Sequence, residues 1–320
     1  MTKKVLVTAT NYSTLCAAGK KMLEDNGFEI IENTFGRPMT FEELQKYAPD
    51  ADAVVAGVDT WNKDVFAFTP KLKVITRFGV GIDNINLKDA KDAGIYVTNA
   101  PGVNSNSVSE LAIGLIIDML RNAPGLNQSA KEGKWDRFVG YDIQGKTVGL
   151  LGFGNIARNV AKKLSGFDVR IIAFDKYPNV DAARALNVEL KYSVEDVLKE
   201  SFIVSCHLPN IPDTYHTMND RTFALMPKGS YFVNTSRGAL VDEQALIRAV
   251  TSGHLGGAAL DVYEKEPVTA DNPVLHTKGI LTTPHTAAET YGTYHNTGIL
   301  TAQAIIDTFK GIKPANVVNN

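Results

Sequence analysis

The sequence predicts an α/β protein of two domains, each built on a parallel sheet. Three observations carry this. Short β-branched runs alternate with helix-period stretches along almost the whole chain. The strand-like runs of the second half are apolar nearly throughout, as strands covered on both faces are. At 320 residues the chain is also long for a single core.

Taken in order, Val5-Leu-Val reads as the first strand, and an amphipathic stretch around Leu15 to Leu23 as a helix. Ala53-Val-Val-Ala, Val74-Ile-Thr and Ile95-Tyr-Val are further short strands. After Asn99-Ala-Pro-Gly the pattern changes. Ser105, Asn106 or Ser107 can cap a long helix through Arg121. Val108, Leu111, Ala112, Leu115, Ile116 and Met119 recur there at helical spacing. From Thr147 to Pro284 the strand–helix rhythm returns, with Val169–Phe174, Phe202–Ser205, Tyr231–Asn234, Ala258–Leu260 and Ile280–Thr282 as strands. A helical pattern from Ala287 to Lys310 closes the chain, and the domains join near Asn99–Pro101.

Composition is that of a soluble globular protein, with 44% hydrophobic and 21% charged residues. The 33 basic and 35 acidic residues leave a net charge of −2, so neither nucleic acid nor an anionic membrane is expected as a partner. The two cysteines, Cys16 and Cys206, lie far apart, which excludes a disulfide framework and gives no metal spacing. Reduced thiols in a cytoplasmic protein are the plain reading. The first residues run straight into a strand, with no signal-peptide core. The most apolar helix candidate, Leu111 to Leu120, is broken by Asp118, so no membrane span is expected.

Thr147-Val-Gly-Leu-Leu-Gly152-Phe-Gly154-Asn-Ile-Ala157-Arg is the most informative stretch. A strand-type run ends in a glycine turn, a helical pattern follows, and the next strand-type run stops at Asp175. That order is the one a Rossmann-like dinucleotide site needs. Gly152 permits the tight turn, and Gly154 lets the backbone approach a pyrophosphate at the helix N-terminus. Ala157 is small enough for helix–strand packing. Asp175 can accept from ribose hydroxyls and would repel a 2′-phosphate, which favours NAD over NADP, a preference slightly weakened by Lys176.

A nicotinamide enzyme acting on an alcohol also needs a base for the proton and a cation for the oxygen. Strand ends in the second half offer both. Arg237, in Asn234-Thr-Ser-Arg-Gly, has a guanidinium able to fork onto carboxylate and carbonyl oxygens. His285, in Thr283-Pro-His-Thr-Ala-Ala, suits proton transfer in both directions. Glu266, in Leu260-Asp-Val-Tyr-Glu-Lys-Glu-Pro, would favour imidazolium if it stood beside His285. Asp261, ending a strand, is placed to hold a nicotinamide amide. In the first domain, Arg77-Phe-Gly79-Val-Gly81-Ile-Asp-Asn can expose backbone N–H groups to a carboxylate. Taken singly, each has an ordinary explanation: a tight turn, a surface arginine, a structural histidine, a solvated acidic loop.

Together these segments resemble the D-isomer-specific 2-hydroxyacid dehydrogenase family. Gly152-Phe-Gly-Asn-Ile-Ala-Arg, Asn234-Thr-Ser-Arg-Gly-Ala, Ala259-Leu-Asp-Val-Tyr-Glu-Lys-Glu-Pro and Thr283-Pro-His-Thr-Ala-Ala look like its signatures, in its order. The resemblance implies two Rossmann-like or flavodoxin-like domains. The NAD-binding domain, residues 101–286, would be inserted in a discontinuous substrate-binding domain of residues 1–100 plus 287–320. It implies that Arg237 binds substrate, and that Glu266 and His285 form the acid/base pair. It assigns the substrate carboxylate to the backbone of Val80 and Gly81. Gly152, Gly154, Asn155, Ile156 and Asp175 would meet the pyrophosphate and ribose of NAD, and His207 and Pro209 would line its adenosine side. Thr235, Asp261 and Ala287 would line its nicotinamide side. No metal is implied. The helix from Ser105 to Arg121 would lie at a homodimer interface, a reading its apolar residues Val108 to Met119 also prompt. One departure is Ala287-Ala288, where many relatives carry glycine.

For the substrate, Arg77 is the main hint. Leu72-Lys-Val-Ile-Thr-Arg-Phe-Gly-Val-Gly-Ile-Asp-Asn-Ile looks most like the phosphoglycerate dehydrogenase branch, in which an arginine here takes the substrate phosphate. This points to 3-phosphoglycerate and serine biosynthesis. The end at Asn320 leaves no room for an appended serine-sensing domain, so no serine inhibition is expected. Hydroxypyruvate or glyoxylate reduction and a D-lactate-type activity are the alternatives. A non-catalytic NAD-binding, corepressor-like scaffold is the reading from another class.

Overall fold

The computed structural model describes residues 2–319; Met1 and Asn320, the two ends of the expected substrate-binding domain, lie outside them. The chain folds into two compact units, Met1–Asn104 with Glu289–Asn320, and Ser105–Ala288.

The first unit holds β1 (Lys3–Val7), β2 (Phe28–Glu32), β3 (Ala53–Ala56), β4 (Val74–Arg77) and β5 (Tyr96–Thr98), all parallel, in the order β2-β1-β3-β4-β5. This is the flavodoxin-like order. Alternation along the strands feeds two cores. Leu6, Val54, Ile75 and Val97 pack with Leu44, Trp61 and Val65. Val5, Val7, Val55 and Val74 pack with Leu23, Ala302 and Ile305. The last two come from the helix Tyr291–Phe309, which begins where the Thr290 side chain accepts from Thr293 N. This helix docks on the helix Ala17–Asp25 so closely that a Cβ on Gly19 would lie 2.3 Å from Gly298 O. Two glycines thus let the returning chain complete the unit.

The second unit holds β6 (Thr147–Leu151), β7 (Arg170–Phe174), β8 (Glu189–Leu190), β9 (Ile203–Cys206), β10 (Ser230–Asn234), β11 (Leu255–Leu260) and β12 (Ile280–Thr282). All pairs are parallel, in the order β12-β11-β10-β9-β6-β7-β8. The order reverses between β6 and β9, the position at which open α/β sheets hold ligands beyond the carboxyl ends of their strands.

Three differences from the sequence reading have physical causes. β2 and β8 were not anticipated: Phe28-Glu-Ile-Ile-Glu is only half apolar and β8 is two residues long. The long helix starts at Ser105 itself, so Ser105, Asn106 and Ser107 all lie within it and none of them is its N-cap. Its apolar stripe is not left for a partner: Val108, Ala112, Leu115, Ile116 and Met119 are buried. All but Val108 lie in the unit's own core with Val148, Leu150, Val160 and Leu164, because the helix covers one face of the sheet. Among the described residues no helix is long and apolar enough to cross a membrane.

Candidate active site

The dinucleotide loop is built from backbone. β6 ends at Leu151, and Gly152 turns with φ +90, a conformation that side chains avoid. A Cβ there would also sit 2.7 Å from His207 O, at the end of the neighbouring β9. Gly154 is the N-cap of the helix Asn155–Leu164 and supplies no side-chain cap, and a Cβ on it would meet nothing within 4 Å. The helix therefore opens with bare N–H groups beside open space, the geometry a phosphate takes. Asn155 is exposed and Ile156 half-buried beside it, while Ala157 is buried against the sheet.

Asp175, after β7, ties the loop down by accepting from Phe153 N (2.7 Å) and Tyr177 N (2.8 Å). A carboxylate has about four acceptor sites, so two remain for ribose hydroxyls. Lys176 Nζ lies 3.1 Å from Asp213 Oδ2, so its charge is answered within the unit rather than offered to a 2′-phosphate. His207 shares Nε2 with Ser205 Oγ at 2.9 Å, while Nδ1 is buried with no partner among the described residues. Burial pushes this ring down to about 4. Pro209 is exposed just beyond it. Thr235 is buried, with its Oγ1 unpaired among the described residues. An orphaned buried hydroxyl, an uncapped helix and a glycine-only turn on one sheet edge fit a dinucleotide.

The same edge carries the charged groups. Asn234, buried at the end of β10, accepts from Ser236 N and donates to Arg237 O at 2.8 Å, which shapes the turn carrying Arg237. Gly238 is required next: a Cβ there would be 1.9 Å from Tyr263 O. This contact brings the Arg237 turn against the 261–267 loop. Within that loop Glu266 Oε1 accepts from Tyr263 N at 3.0 Å, and Oε2 meets His285 Nδ1 at 2.6 Å. Burial pushes the Glu266 carboxyl upward. The hydrogen bond and charge of His285, the Tyr263 N–H and the Arg237 guanidinium outweigh it, so Glu266 is held below the usual carboxylate range. With Nδ1 taken by Glu266, Nε2 is the nitrogen left to exchange protons, and the His285 side chain is 48% exposed.

The structure thus brings Arg237, Glu266 and His285 together. It also shows supports that the sequence did not single out. Glu243 N donates to Glu264 Oε1 and Glu264 N to Glu243 Oε1, at 3.0 and 2.8 Å, a reciprocal clamp on the 261–267 loop. Asn272 Nδ2 donates to Glu243 Oε2 at 3.0 Å. Tyr263 OH donates to Thr283 O at 2.9 Å. Asp261, which the sequence did single out, is fully buried, and its oxygens accept from Thr283 Oγ1, Thr286 N and Ala287 N. Ala287 is itself buried.

In the first unit, Arg77 ends β4, and its Nη1 donates back to Phe78 O. The buried Asp59 carboxyl is pushed up by burial, and the Arg77 charge opposes that rise. Val80 and Gly81 are half-buried in the following turn, where Asn99 Nδ2 donates to Val80 O at 2.8 Å.

Residues 113–287 match the model of the D-isomer specific 2-hydroxyacid dehydrogenase NAD-binding domain. The chain is 37% identical over 300 residues to a D-3-phosphoglycerate dehydrogenase of Archaeoglobus fulgidus, covering 93% of this chain but only 56% of that protein. It is 36% identical over 277 residues to a glyoxylate reductase of Korarchaeum cryptofilum, covering 84% of this chain and 83% of that one. The chain thus spans little more than half the length of the phosphoglycerate dehydrogenase relative. The apo structure of D-lactate dehydrogenase from Escherichia coli superposes with a TM-score of 0.87 at 29% identity, over 98% of this chain and 99% of that one. With the glycine turn, the uncapped helix and the matching domain in agreement, the chain belongs to the D-isomer specific 2-hydroxyacid dehydrogenase family and carries its NAD-binding domain.

Proposed function

We propose that the protein is an NAD-dependent oxidoreductase that interconverts a D-2-hydroxy acid and its 2-oxo acid. The observation that carries this is the 2.6 Å contact of His285 Nδ1 with an ionised Glu266, on the sheet edge that also presents Arg237. Gly152, Gly154, Asn155 and Ile156 hold the pyrophosphate, Asp175 the ribose, His207 and Pro209 the adenosine side, and Thr235 and Ala287 the nicotinamide side. Bound NADH supplies the hydride to C2 of the oxo acid. Arg237 forks onto the carboxylate and the carbonyl oxygen and stabilises charge developing on that oxygen. Protonated His285 gives its Nε2 proton to the same oxygen, while Glu266 stabilises the imidazolium before transfer. In oxidation neutral His285 takes the hydroxyl proton back. In the first unit, the backbone N–H groups at Val80 and Gly81 suit a substrate carboxylate.

For the substrate we propose 3-phosphoglycerate, oxidised to 3-phosphohydroxypyruvate for serine synthesis, with Arg77 taking the phosphate. The name of the Archaeoglobus relative supports this reading. A specific observation favours a second one. Arg77 already donates to Phe78 O, as it would beside an unphosphorylated acid such as glyoxylate. The test is NADH consumption with 3-phosphohydroxypyruvate, hydroxypyruvate, glyoxylate and pyruvate at equal concentration. A kcat/KM preference for the phosphorylated acid that collapses in Arg77→Ala supports the first reading; preference for glyoxylate supports the second. NADH binding without turnover of any of the four would overturn the enzyme assignment in favour of a scaffold.

The proposed assembly is a homodimer, formed not by the stripe of the helix Ser105–Arg121 but through the segment where Trp135 and Val139 are 90% and 94% exposed. Light scattering of the full chain and of Trp135→Ser tests it.

A further inference from the structure

In the second unit, residues 209–218 reach from the neighbourhood of Asp175 to the loops of Arg237 and Glu266. At the near end Asp213 Oδ2 meets Nζ of Lys176, the residue after Asp175, at 3.1 Å. The segment is stiffened from within. Thr214 Oγ1 donates to Pro209 O at 2.6 Å and accepts from Ile211 N at 3.0 Å, and Thr217 Oγ1 donates to Thr214 O at 2.8 Å. At the far end its backbone pairs with the turn after Arg237: His216 N donates to Ala239 O and Met218 N to Leu240 O, both at 2.9 Å. The His216 side chain reaches the loop of Glu266. Its Nε2 lies 3.1 Å from Glu264 Oε1, close enough for charge attraction though not aligned as a hydrogen bond.

His216 occupies this place in a strained form. Its φ is +47, in the left-handed region that histidine enters less readily than glycine. Such a conformation persists where the surroundings impose it. Asn219 Nδ2 donates to its carbonyl at 2.8 Å, and the Tyr215 ring stacks on its imidazole with centroids 3.9 Å apart. Glu264 is in turn tied to the helix Glu243–Thr251 through its reciprocal pair with Glu243, and the N–H of its neighbour Tyr263 holds Glu266 Oε1. One imidazole thus stands between the backbone that follows Arg237 and the loop that carries Glu266.

We propose that His216 is a positioning residue that joins the adenosine-side segment 209–218 to both catalytic loops, so that binding at the adenosine end of the cofactor aligns Glu266 with His285. The proposal rests on the acid/base reading of Glu266 and His285 and on the adenosine-side reading of Pro209. Binding energy from a remote part of a ligand raises turnover only when something carries it to the reacting groups. An internally bonded segment that starts beside the ribose acid can do so. A misplacement of about 1 Å at its far end is large enough to lower a rate roughly 100-fold. The Lys176–Asp213 pair is exposed and contributes little by itself. The near end can therefore follow the cofactor, whereas the far end is pinned by backbone pairing and by the His216–Glu264 contact.

The test compares the full chain with its His216→Asn variant. Asparagine accepts the left-handed backbone, and its shorter side chain does not span the distance to Glu264. Turnover of one oxo acid is measured at saturation with NADH and with reduced nicotinamide mononucleotide, which lacks the adenosine end. In the parent, NADH is expected to support turnover about tenfold faster than the mononucleotide. In His216→Asn the NADH rate is expected to fall to within about twofold of the mononucleotide rate, which itself stays at the parent value. A merely structural residue would lower both rates together. That result overturns the proposal, as does an unchanged NADH rate or a parent that uses the two cofactors equally. A second readout needs no turnover. AMP supplies the adenosine end alone, and it is expected to shift the His285 ring resonances of the parent in NMR spectra, assigned with His285→Gln, but not those of His216→Asn. Equal shifts in the two proteins, or none in the parent, overturn the proposal. If His216→Asn does not fold, Glu264→Gln weakens the same attraction from the other side. It should narrow the difference between the two cofactors, and an unchanged difference overturns the proposal. If the parent turns over no oxo acid while AMP still moves the His285 ring, the reaction reading fails and the coupling stands.

Discussion

Two ends of one sheet edge in the second unit are made in different ways. The dinucleotide end, Gly152 to Asp175, is a matter of backbone: a turn that only glycine makes, a helix without a cap, and a carboxylate fixing the N–H groups of Phe153 and Tyr177. The proton-transfer end, Asp261 to His285, is a matter of side chains. There, carboxylates hold loops that hold the working groups. The lesson is that binding and chemistry can be broken separately on this scaffold, because different forces keep each in place.

The sharpest separation is His285→Ala. Removing the proton donor should lower turnover by roughly 100-fold or more. NADH affinity should stay near the parent value, since the contacts of Gly152, Gly154 and Asp175 are untouched. Steady-state kinetics beside a binding titration measure both, and unchanged turnover would sink the assignment of His285.

The opposite break is Gly152→Ala. Alanine at φ +90 is strained, and its Cβ would press on His207 O, so a stability loss of about 1–3 kcal/mol is expected. NADH binding should weaken roughly tenfold, about 1.4 kcal/mol, with the rate at saturation largely kept. A variant that binds NADH normally would show that the turn is not what shapes the cofactor loop.

The contrast also explains what could be read before folding. Gly152, Gly154 and Asp175 form a local pattern at fixed spacing, and backbone-driven features announce themselves in that way. The parallel sheets were legible too, because strands buried on both faces must be apolar throughout. Arg237, Glu266 and His285 were found at strand ends as residue types with suitable chemistry. Their meeting depends on Gly238 fitting under Tyr263 and on the 261–267 loop, and no spacing encodes that. Glu243 looks in sequence like any acid in the first turn of a helix. β8 and β2 are too short or too polar to stand out, and the stripe of the helix Ser105–Arg121 looks the same whether it faces a sheet or a partner.

A smaller effect tests whether the proton-transfer end depends on its supports. Glu243→Ala leaves Glu264 N and Asn272 Nδ2 without acceptors in a half-buried place. The expected cost is about 1–3 kcal/mol of stability, read by urea unfolding. Turnover should fall only a few-fold, because Glu266 keeps the Tyr263 N–H and His285 contacts. A collapse as large as that of His285→Ala would mean that the clamp, rather than the Glu266–His285 contact, sets the geometry.

The smallest effect at neutral pH belongs to His207, on the binding end. Burial pushes its ring from 6.5 down to about 4, so between these values the unfolded chain binds a proton that the folded one does not. Stability therefore rises with pH across that window. The contribution is complete above 6.5 and is lost as the pH falls toward 4. About 1 kcal/mol should go in the first pH unit below 6.5, seen as a falling urea midpoint. His207→Gln removes the titrating group and should flatten this part of the profile while leaving proton transfer by His285 intact. An equally steep profile in the variant would move the pH dependence to other groups. It would also leave the binding end, like its glycine turn, governed by shape rather than charge.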